Sequence, residues 1–449
     1  MVSASQPIRD ADIWWHRWIG QEILSTRSVA GLGAEWAPFG DLTWRTTQWF
    51  PEVLYAWLGD LAGWSAITGL RVLAAVAISL VVAWSILPGR PALVAVPIYC
   101  LTLLGLIPFA VQDRPQTLAL VLAGLLSVQT SRWLLEDRIP RVWVVLLLSA
   151  VWANLHGSWV LVPLTLGLLA VGKAFSASPG RTAILRYCAI VLAGIAGGFA
   201  TPAGLSSVTA VARFSERTNL LTEWQPTALT ALYALPLGLS LAVLLWAWAR
   251  GPVVPADELV FAAGLTIFAL LANRNVSYSL LLLAPVVAAR LAVVYPHRSL
   301  VGRREANLLA VATALVLLVG LALAWWQHAT TDPLALAAPR RIAALLGDAP
   351  EPVGVLNSYG ASGVLLEFSG GNVQLAIDGR ADRYPSDYSS SYLDAVRSLQ
   401  DWQALVEQVV PDVAVLKRDE ALADHLQDQG WTVTLRDGEY LLLEPPVDR

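Results

Sequence analysis

Ten runs of mostly apolar residues divide the chain, near 65–87, 91–110, 115–133, 141–155, 157–174, 184–201, 228–249, 258–272, 276–294 and 307–326. A helix needs roughly 17 to 25 such residues to cross the hydrocarbon of a bilayer. The repetition restricts the fold to a mainly α-helical, polytopic transmembrane bundle. Composition agrees, because 56% of residues are hydrophobic and 14% are charged, against roughly 25% charged in soluble domains. Arginine outnumbers lysine 28 to 2, a bias that points to a GC-rich, bacterial source. Cys100 and Cys188 both fall inside apolar runs, so neither a disulfide framework nor a cysteine metal site is expected. Buried, inert packing is the expected role of both.

Charge is distributed unevenly. Residues 340–449 carry 18 acidic and 9 basic side chains, which marks this tail as a separate soluble domain at −9 beside a membrane part at +5. Short cytoplasmic loops retain Arg and Lys. Arg90, then Arg132, Arg138 and Arg141, then Lys173, Arg181 and Arg186, then Arg250, then Arg290, Arg298, Arg303 and Arg304 occupy every second loop. The alternate loops hold only Arg114, Arg213, Arg217 and Arg274. The richer set is read as cytoplasmic, which puts the N-terminal segment and the tail outside a bacterial plasma membrane. An exported N-terminal segment of about 60 residues needs a way across: either a further span lies upstream, about 11 in all, which is the expectation, or a short tail is exported unaided.

The domain reading has three parts. Residues 1–64 form a first extracytoplasmic loop with interfacial amphipathic helices, since RDADIWWHRWIG and WRTTQWFPEVLYAWLGDLAGW mix acids with indoles suited to headgroup depth. Residues 65–327 form the bundle. Residues 328–449 form a linker and a small α/β domain, because VGVLNS, VQLAID, DVAVLK, WTVTL and YLLLE alternate with helical stretches, one of them near 390–409. The tail has no GxGxxG or GxxxxGK, so a nucleotide site there is not expected, and no nucleic-acid partner is expected.

Ionisable groups at membrane depth cost roughly 2.5 to 3.5 kcal/mol each and are therefore paired or functional. On the outer side fall Asp10, Asp12 and His16; Gln48 and Trp49; Gln112, Asp113 and Arg114; Asn154 and His156; Glu223; and Asn273, Arg274 and Asn275. Each has an ordinary reading as well. Asp10 and Asp12 could be a solvated turn, a divalent-metal pair or a general base. His16, four residues after Asp12, lies on one helical face with it. The tryptophans could be interface anchors, Asn154 a turn residue, and Arg114 and Arg274 snorkelling cations. Five outer segments together suggest one polar site.

The Asp-x-Asp-x-x-Trp-His of residues 10–16, the Gln48-Trp49-x-x-Glu52 segment, RPQ at 114–116 and NLHG at 154–157 resemble bacterial members of the GT-C glycosyltransferase superfamily, similar to protein mannosyltransferases. NSYGASGVLLEF and IDGRADRYP of the tail resemble the extracytoplasmic domain of the same group. The resemblance implies an inverting transferase that takes a sugar from a polyprenyl-phosphate donor in the membrane lipid to a glycan, lipid or protein acceptor outside the cell. It places the catalytic acid in the first outer loop, at Asp12 or Asp10. Arg114, His156, Arg274 and His16 are then the candidates for the donor phosphate, and Gln48, Trp49, Asn154, Glu223 and Asn273 for positioning acceptor or substrate. A divalent cation, magnesium or manganese, on Asp10 and Asp12 is compatible with this chemistry. Asp378, Arg380 and Asp382 of DGRAD could serve the acceptor or form a structural turn. Two rival classes remain, a non-catalytic GT-C-like scaffold and a transporter or flippase of lipid-linked glycans. A transporter would be expected to show internal symmetry and polar groups on both sides of the midplane.

Overall fold

The computed structural model describes residues 10–33, 44–110, 112–177, 179–209, 222–296, 304 and 338–446. The chain forms two compact units, one gathering Thr68–Ser207 with Thr222–Thr330, the other gathering Pro7–Ile67 with Thr331–Arg449.

The first unit is helical. Its elements are α3 (Trp64–Ile86, which begins in the other unit), α4 (Ala92–Ala110), α5 (Pro115–Glu136), α6 (Val142–Leu155), α7 (Leu161–Ala177), α8 (Arg181–Gly198), α9 (Leu235–Arg250), α10 (Ala256–Leu271) and α11 (Asn275–Val294). Nine of the ten expected spans thus appear as helices, and the tenth, 307–326, lies outside the described residues. Among the described residues, seven helices are long and apolar enough to cross a membrane. The chain is a multi-pass membrane protein. At 14 and 16 residues, α6 and α10 rise only about 21 and 24 Å, short of the roughly 30 Å of hydrocarbon.

α11 sits at the centre, packed on α4, α5, α9 and α10, with an unbroken buried run from Val276 to Ala288. Lipid offers no hydrophobic drive between helices, so packing and interhelical hydrogen bonds must hold them. Ser127 donates to the Leu281 carbonyl at 3.0 Å, Ser279 to Leu265 at 2.8 Å and Ser149 to Gly194 at 2.6 Å. The exterior is apolar, with Leu93, Leu147, Phe175, Leu245 and Ile267 exposed. Cys100 and Cys188 are exposed too, which corrects the expectation of burial: an apolar run in a bilayer has a lipid face as well as a core face.

Charged side chains meet at helix ends. Lys173, near the end of α7, reaches Asp137 after α5 at 2.9 Å and Asp257 at the start of α10 at 3.0 Å. Arg290, near the end of α11, holds Glu258 at 2.5 Å, and Glu258 also accepts from Trp248 near the end of α9. The turns that carry most of the basic residues therefore share one end of the unit, as the alternation of charge along the sequence requires.

The second unit is built on a five-stranded sheet in the order β2-β1-β3-β5-β4. Its strands are β1 (Val353–Asn357), β2 (Val373–Leu375), β3 (Val413–Lys417), β4 (Thr432–Asp437) and β5 (Tyr440–Glu444). β1 runs parallel to β2 and β3, whereas β5 pairs antiparallel with β3 and β4. The two-residue period of a strand sorts its core. Leu356, Leu416 and Leu441 face one cluster with Tyr384, Tyr388 and Tyr392. Val355, Val415 and Leu442 face another with Trp15, Ile19 and Ile23.

Those last three residues lie four apart on α1 (Asp12–Thr26), so one stripe of the N-terminal helix completes the tail domain's core. α1 also packs on α2 (Trp49–Ala62) and α13 (Ser362–Phe368), and α12 (Arg340–Gly347) packs on α13. Trp14 and Trp15 are accordingly buried in protein and do not lie at a lipid interface as expected. A protein core offers an indole more apolar contact than headgroups do. Gly379 admits Trp15, since a Cβ there would lie 1.9 Å from its Nε1. The Asp378–Arg380 pair is fully buried and Arg380 donates to the carbonyls of Leu32 at 2.6 Å and Gly33 at 3.1 Å. DGRAD thereby ties the chain after α1 to the domain. The single helix expected near 390–409 is two, α14 (Ser386–Ser398) and α15 (Trp402–Val409), broken where Leu399 and Asp401 take positive φ. α16 (Ala421–Asp428) precedes β4.

Arg17 of α1 bonds Glu367 of α13 and, at 2.7 Å, Asp60 of α2. Burial pushes the Glu367 carboxyl up to about 7, against the pull of Arg17. A raised folded-state value contributes stability below the ordinary carboxylate range and loses it as pH rises through about 7. Raising pH from 6 to 8 should therefore cost the second unit about 1 kcal/mol through this carboxyl, a contribution by which Glu367→Gln should flatten the pH slope in thermal unfolding of the full chain. An unchanged slope in that variant would show that other groups set the pH dependence.

Candidate functional site

The expected site residues fall into two groups, one in each unit. In the helical unit, four segments converge at the end of the bundle opposite Lys173 and Arg290. Arg114 precedes Pro115, the first residue of α5, and Pro at that position needs no N–H partner. Glu223 lies in a short 3₁₀ turn, Thr222–Trp224. Arg274 precedes α11, and His156 follows α6.

Backbone hydrogen bonds fix the Glu223 segment against the start of α11. Arg274 N–H donates to Glu223 O at 3.1 Å, Asn273 N–H to Gln225 O at 3.0 Å and Thr227 N–H to Leu270 O at 3.1 Å. The Glu223 carboxylate then bridges two guanidinium groups, Arg114 at 3.0 Å on one oxygen and Arg274 at 3.1 Å on the other. The Arg274 guanidinium also stacks over Trp224 with 4.7 Å to the ring centroid. Arg114 and Glu223 stay about a third exposed, with side chains at 27% and 32%. One carboxylate thus orients two guanidinium groups, planar donors suited to an oxyanion.

His156 serves Arg274. Arg274 Nη2 lies 3.0 Å from His156 Nε2, and arginine has donors only, so Nε2 must present its lone pair. The ring proton then belongs on Nδ1 and is donated to Ser158 Oγ at 2.7 Å. The Ser158 backbone N–H, 3.0 Å from Nδ1, would call for the other tautomer, but that would set an N–H against a guanidinium. Ser158 Oγ also accepts from Trp152 Nε1 at 3.0 Å and donates to Tyr278 at 3.0 Å. Tyr278 follows Arg274 by four residues, one turn along the same face of α11.

The remaining polar residues of this end are bound into the fold. Asn154 donates to Ala150 O at 2.8 Å and Ala200 O at 2.7 Å, tying α6 to the end of α8. Asn273 accepts from Tyr233. Asp113 takes Arg71 of α3 at 2.7 Å in a buried pair. Gln112 donates to Pro108 O at 2.9 Å, and Asn275 to Phe268 O at 2.9 Å.

In the second unit, Asp10 and Asp12 mark the start of α1. Asp10 Oδ1 accepts the Asp12 N–H at 3.0 Å, and Asp12 Oδ1 accepts from Trp15 Nε1 at 3.3 Å. The first caps an otherwise unsatisfied helical N–H; the second holds the Asp12 carboxylate on the helix. His16 reaches the next helix. Its Nδ1 meets Glu52 Oε1 of α2 at 3.1 Å, while Thr46 donates to Glu52 Oε2 at 2.7 Å. Burial pushes the Glu52 carboxyl up, opposed by His16 and Thr46. Gly20 makes this possible, because a Cβ there would lie 2.0 Å from the Glu52 carbonyl oxygen. Gln48 opens α2 with its N–H on Thr46 Oγ1 at 3.1 Å, and Trp49 packs edge-on to Phe50.

Among the described residues no group of three or more His, Cys, Asp or Glu side chains could hold a metal ion. Magnesium, however, is commonly held by one or two carboxylates together with substrate phosphates, and the Asp10–Asp12 pair fits that donor set. The residues not anticipated from the sequence are Arg71, Ser158, Trp224 and Tyr278, while Asp113 and Glu52 are noted there without a partner assigned. Tyr278 had a signal, its four-residue spacing from Arg274.

No protein-family model matches the chain, and no curated protein matches it. Among solved structures the chain is similar to the crystal structure of ArnT from Cupriavidus metallidurans in the apo state. The two share 14% sequence identity and a TM-score of 0.50, over 98% of this chain and 93% of that one. At this identity the likeness concerns the fold.

The His156 tautomer is directly measurable. Nitrogen-15 spectra of histidine-labelled protein, assigned with His156→Gln, should show a neutral ring protonated on Nδ1; a proton on Nε2 would remove His156 as the support of Arg274.

Proposed function

We propose that this chain, whose fold is that of the GT-C glycosyltransferase ArnT, moves a sugar from a polyprenyl-phosphate donor to an extracytoplasmic hydroxyl with inversion at the anomeric carbon. The observation that carries the reading is the Arg114–Glu223–Arg274 bridge, two planar cationic donors brought together at one end of a membrane bundle. A phosphate leaving group needs such donors, and a lipid-linked one reaches them without leaving the membrane.

The acceptor oxygen attacks the anomeric carbon in line, and the bond from that carbon to the phosphate oxygen breaks. Its electron pair stays on the phosphate, which departs as polyprenyl phosphate. The acceptor's proton goes to a carboxylate, Asp12 as base with Asp10 next to it. Arg114 and Arg274 hold the phosphate, and the phosphate takes over guanidinium donors that Glu223 occupies in its absence. His156 keeps Arg274 in place through Nε2, and His16 orients the Glu52 carboxylate beside α1. A magnesium or manganese ion on Asp10 and Asp12 would supply further charge neutralisation. The active site and the tail domain face the extracytoplasmic side, following the charge asymmetry of the loops.

The reading separates from a scaffold or a flippase in a transfer assay with polyprenyl-phosphate sugars and purified full-length protein. Asp12→Asn should lower turnover by about 10²- to 10⁴-fold, the usual worth of a positioned general base, at unchanged melting temperature. Arg274→Gln should raise the donor KM as well, since it removes a charge-assisted bond to phosphate. Full turnover in Asp12→Asn would eliminate Asp12 as the base.

A further inference from the structure

The basic residues that the transfer reaction does not use collect at the other end of the same helices. α5 carries Arg114 just before its first residue and Arg132 one turn before its last. Eighteen residues of helix separate them, a rise of about 27 Å, close to the thickness of the hydrocarbon. There the ends of α3 and α5 enclose a cavity of about 180 Å³ whose lining includes Arg90, Arg132, Arg138, Glu136, Trp84 and Ser85.

The donors in this cavity are unequally engaged. Arg90 Nη1 donates to the carbonyls of Ser85 at 3.0 Å and Ile86 at 2.5 Å, which closes the end of α3. Ser85 and Ser131 turn their hydroxyls to the carbonyls of Val82 and Val128. Glu136 is matched by Arg138 at 3.1 Å. Arg132 is half-buried, and its guanidinium has no hydrogen-bond acceptor among the described residues. The cavity therefore sets the guanidinium groups of Arg90, Arg132 and Arg138 against the single carboxylate of Glu136, an arrangement that favours an anion with several oxygens. Its edge is apolar: Trp84 is 55% exposed, placed as indoles are at a membrane interface.

We infer that this cavity binds the phosphate of an anionic glycerophospholipid, with Arg132 and Arg90 on the phosphate oxygens and Trp84 beside the acyl chains. A basic pocket between membrane helices at the positively charged end is where anionic headgroups concentrate. Inorganic phosphate has the same oxygens but no use for the apolar edge. The site is independent of the sugar-transfer reading, and its test needs no turnover.

Full-length protein in detergent, titrated with phosphatidylglycerol or phosphatidylcholine and followed by native mass spectrometry, decides the matter. Phosphatidylglycerol should bind several-fold more tightly than phosphatidylcholine and resist an excess of inorganic phosphate. Arg132→Gln should weaken it about fivefold, the worth of one basic residue at an anionic lipid, and Arg132→Lys should restore most of that. The Arg132 guanidinium makes no hydrogen bond among the described residues, so both variants should keep the wild-type melting temperature. Equal binding of the two lipids, displacement by inorganic phosphate, or an unaffected Arg132→Gln would each overturn the inference.

Discussion

Hydrocarbon excludes charge, and the charged groups of the helical unit have only the two helix ends to occupy. At one end Lys173 and Arg290 are matched by Asp137, Asp257 and Glu258, and the pairs lock neighbouring helices together. At the other, Glu223 is shared between Arg114 and Arg274. One carboxylate thus gathers two guanidinium groups at the second end.

The spans were legible in sequence because hydropathy is a local property. Nine apolar runs became nine helices, eight within four residues of their expected bounds and α9 starting seven residues later, and the alternation of basic turns anticipated which helix ends meet. Lipid exposure of Cys100 and Cys188 was not legible, since an apolar run does not reveal which side faces lipid. Nor was the joining of α1 to the tail. Trp15 and Val355 lie 340 positions apart, and nothing local in RDADIWWHRWIG distinguishes an indole destined for a protein core from one destined for headgroups. The break between α14 and α15 was hidden for the opposite reason: Leu399 and Asp401 adopt left-handed backbone without the glycine that ordinarily announces it.

The candidate site was half legible. Arg114, His156, Glu223 and Arg274 stand out because a polar group beside a bilayer has to be explained, and the structure brings all four together. Their division of labour came only from geometry. His156 is a support for Arg274 through its Nε2 lone pair, and Asn154 and Asn273 are ties between chain segments. His16 turns to Glu52 on the next helix, a partner 36 positions away.

Most directly, the account stands on what lies between the two arginines when donor is present. A cryo-electron microscopy structure of the full chain with a polyprenyl phosphate would show it. The account expects phosphate density within hydrogen-bond distance of both Arg114 and Arg274, with the Glu223 carboxylate turned away from at least one of them. Phosphate bound elsewhere, with the Glu223 bridge intact, would contradict it.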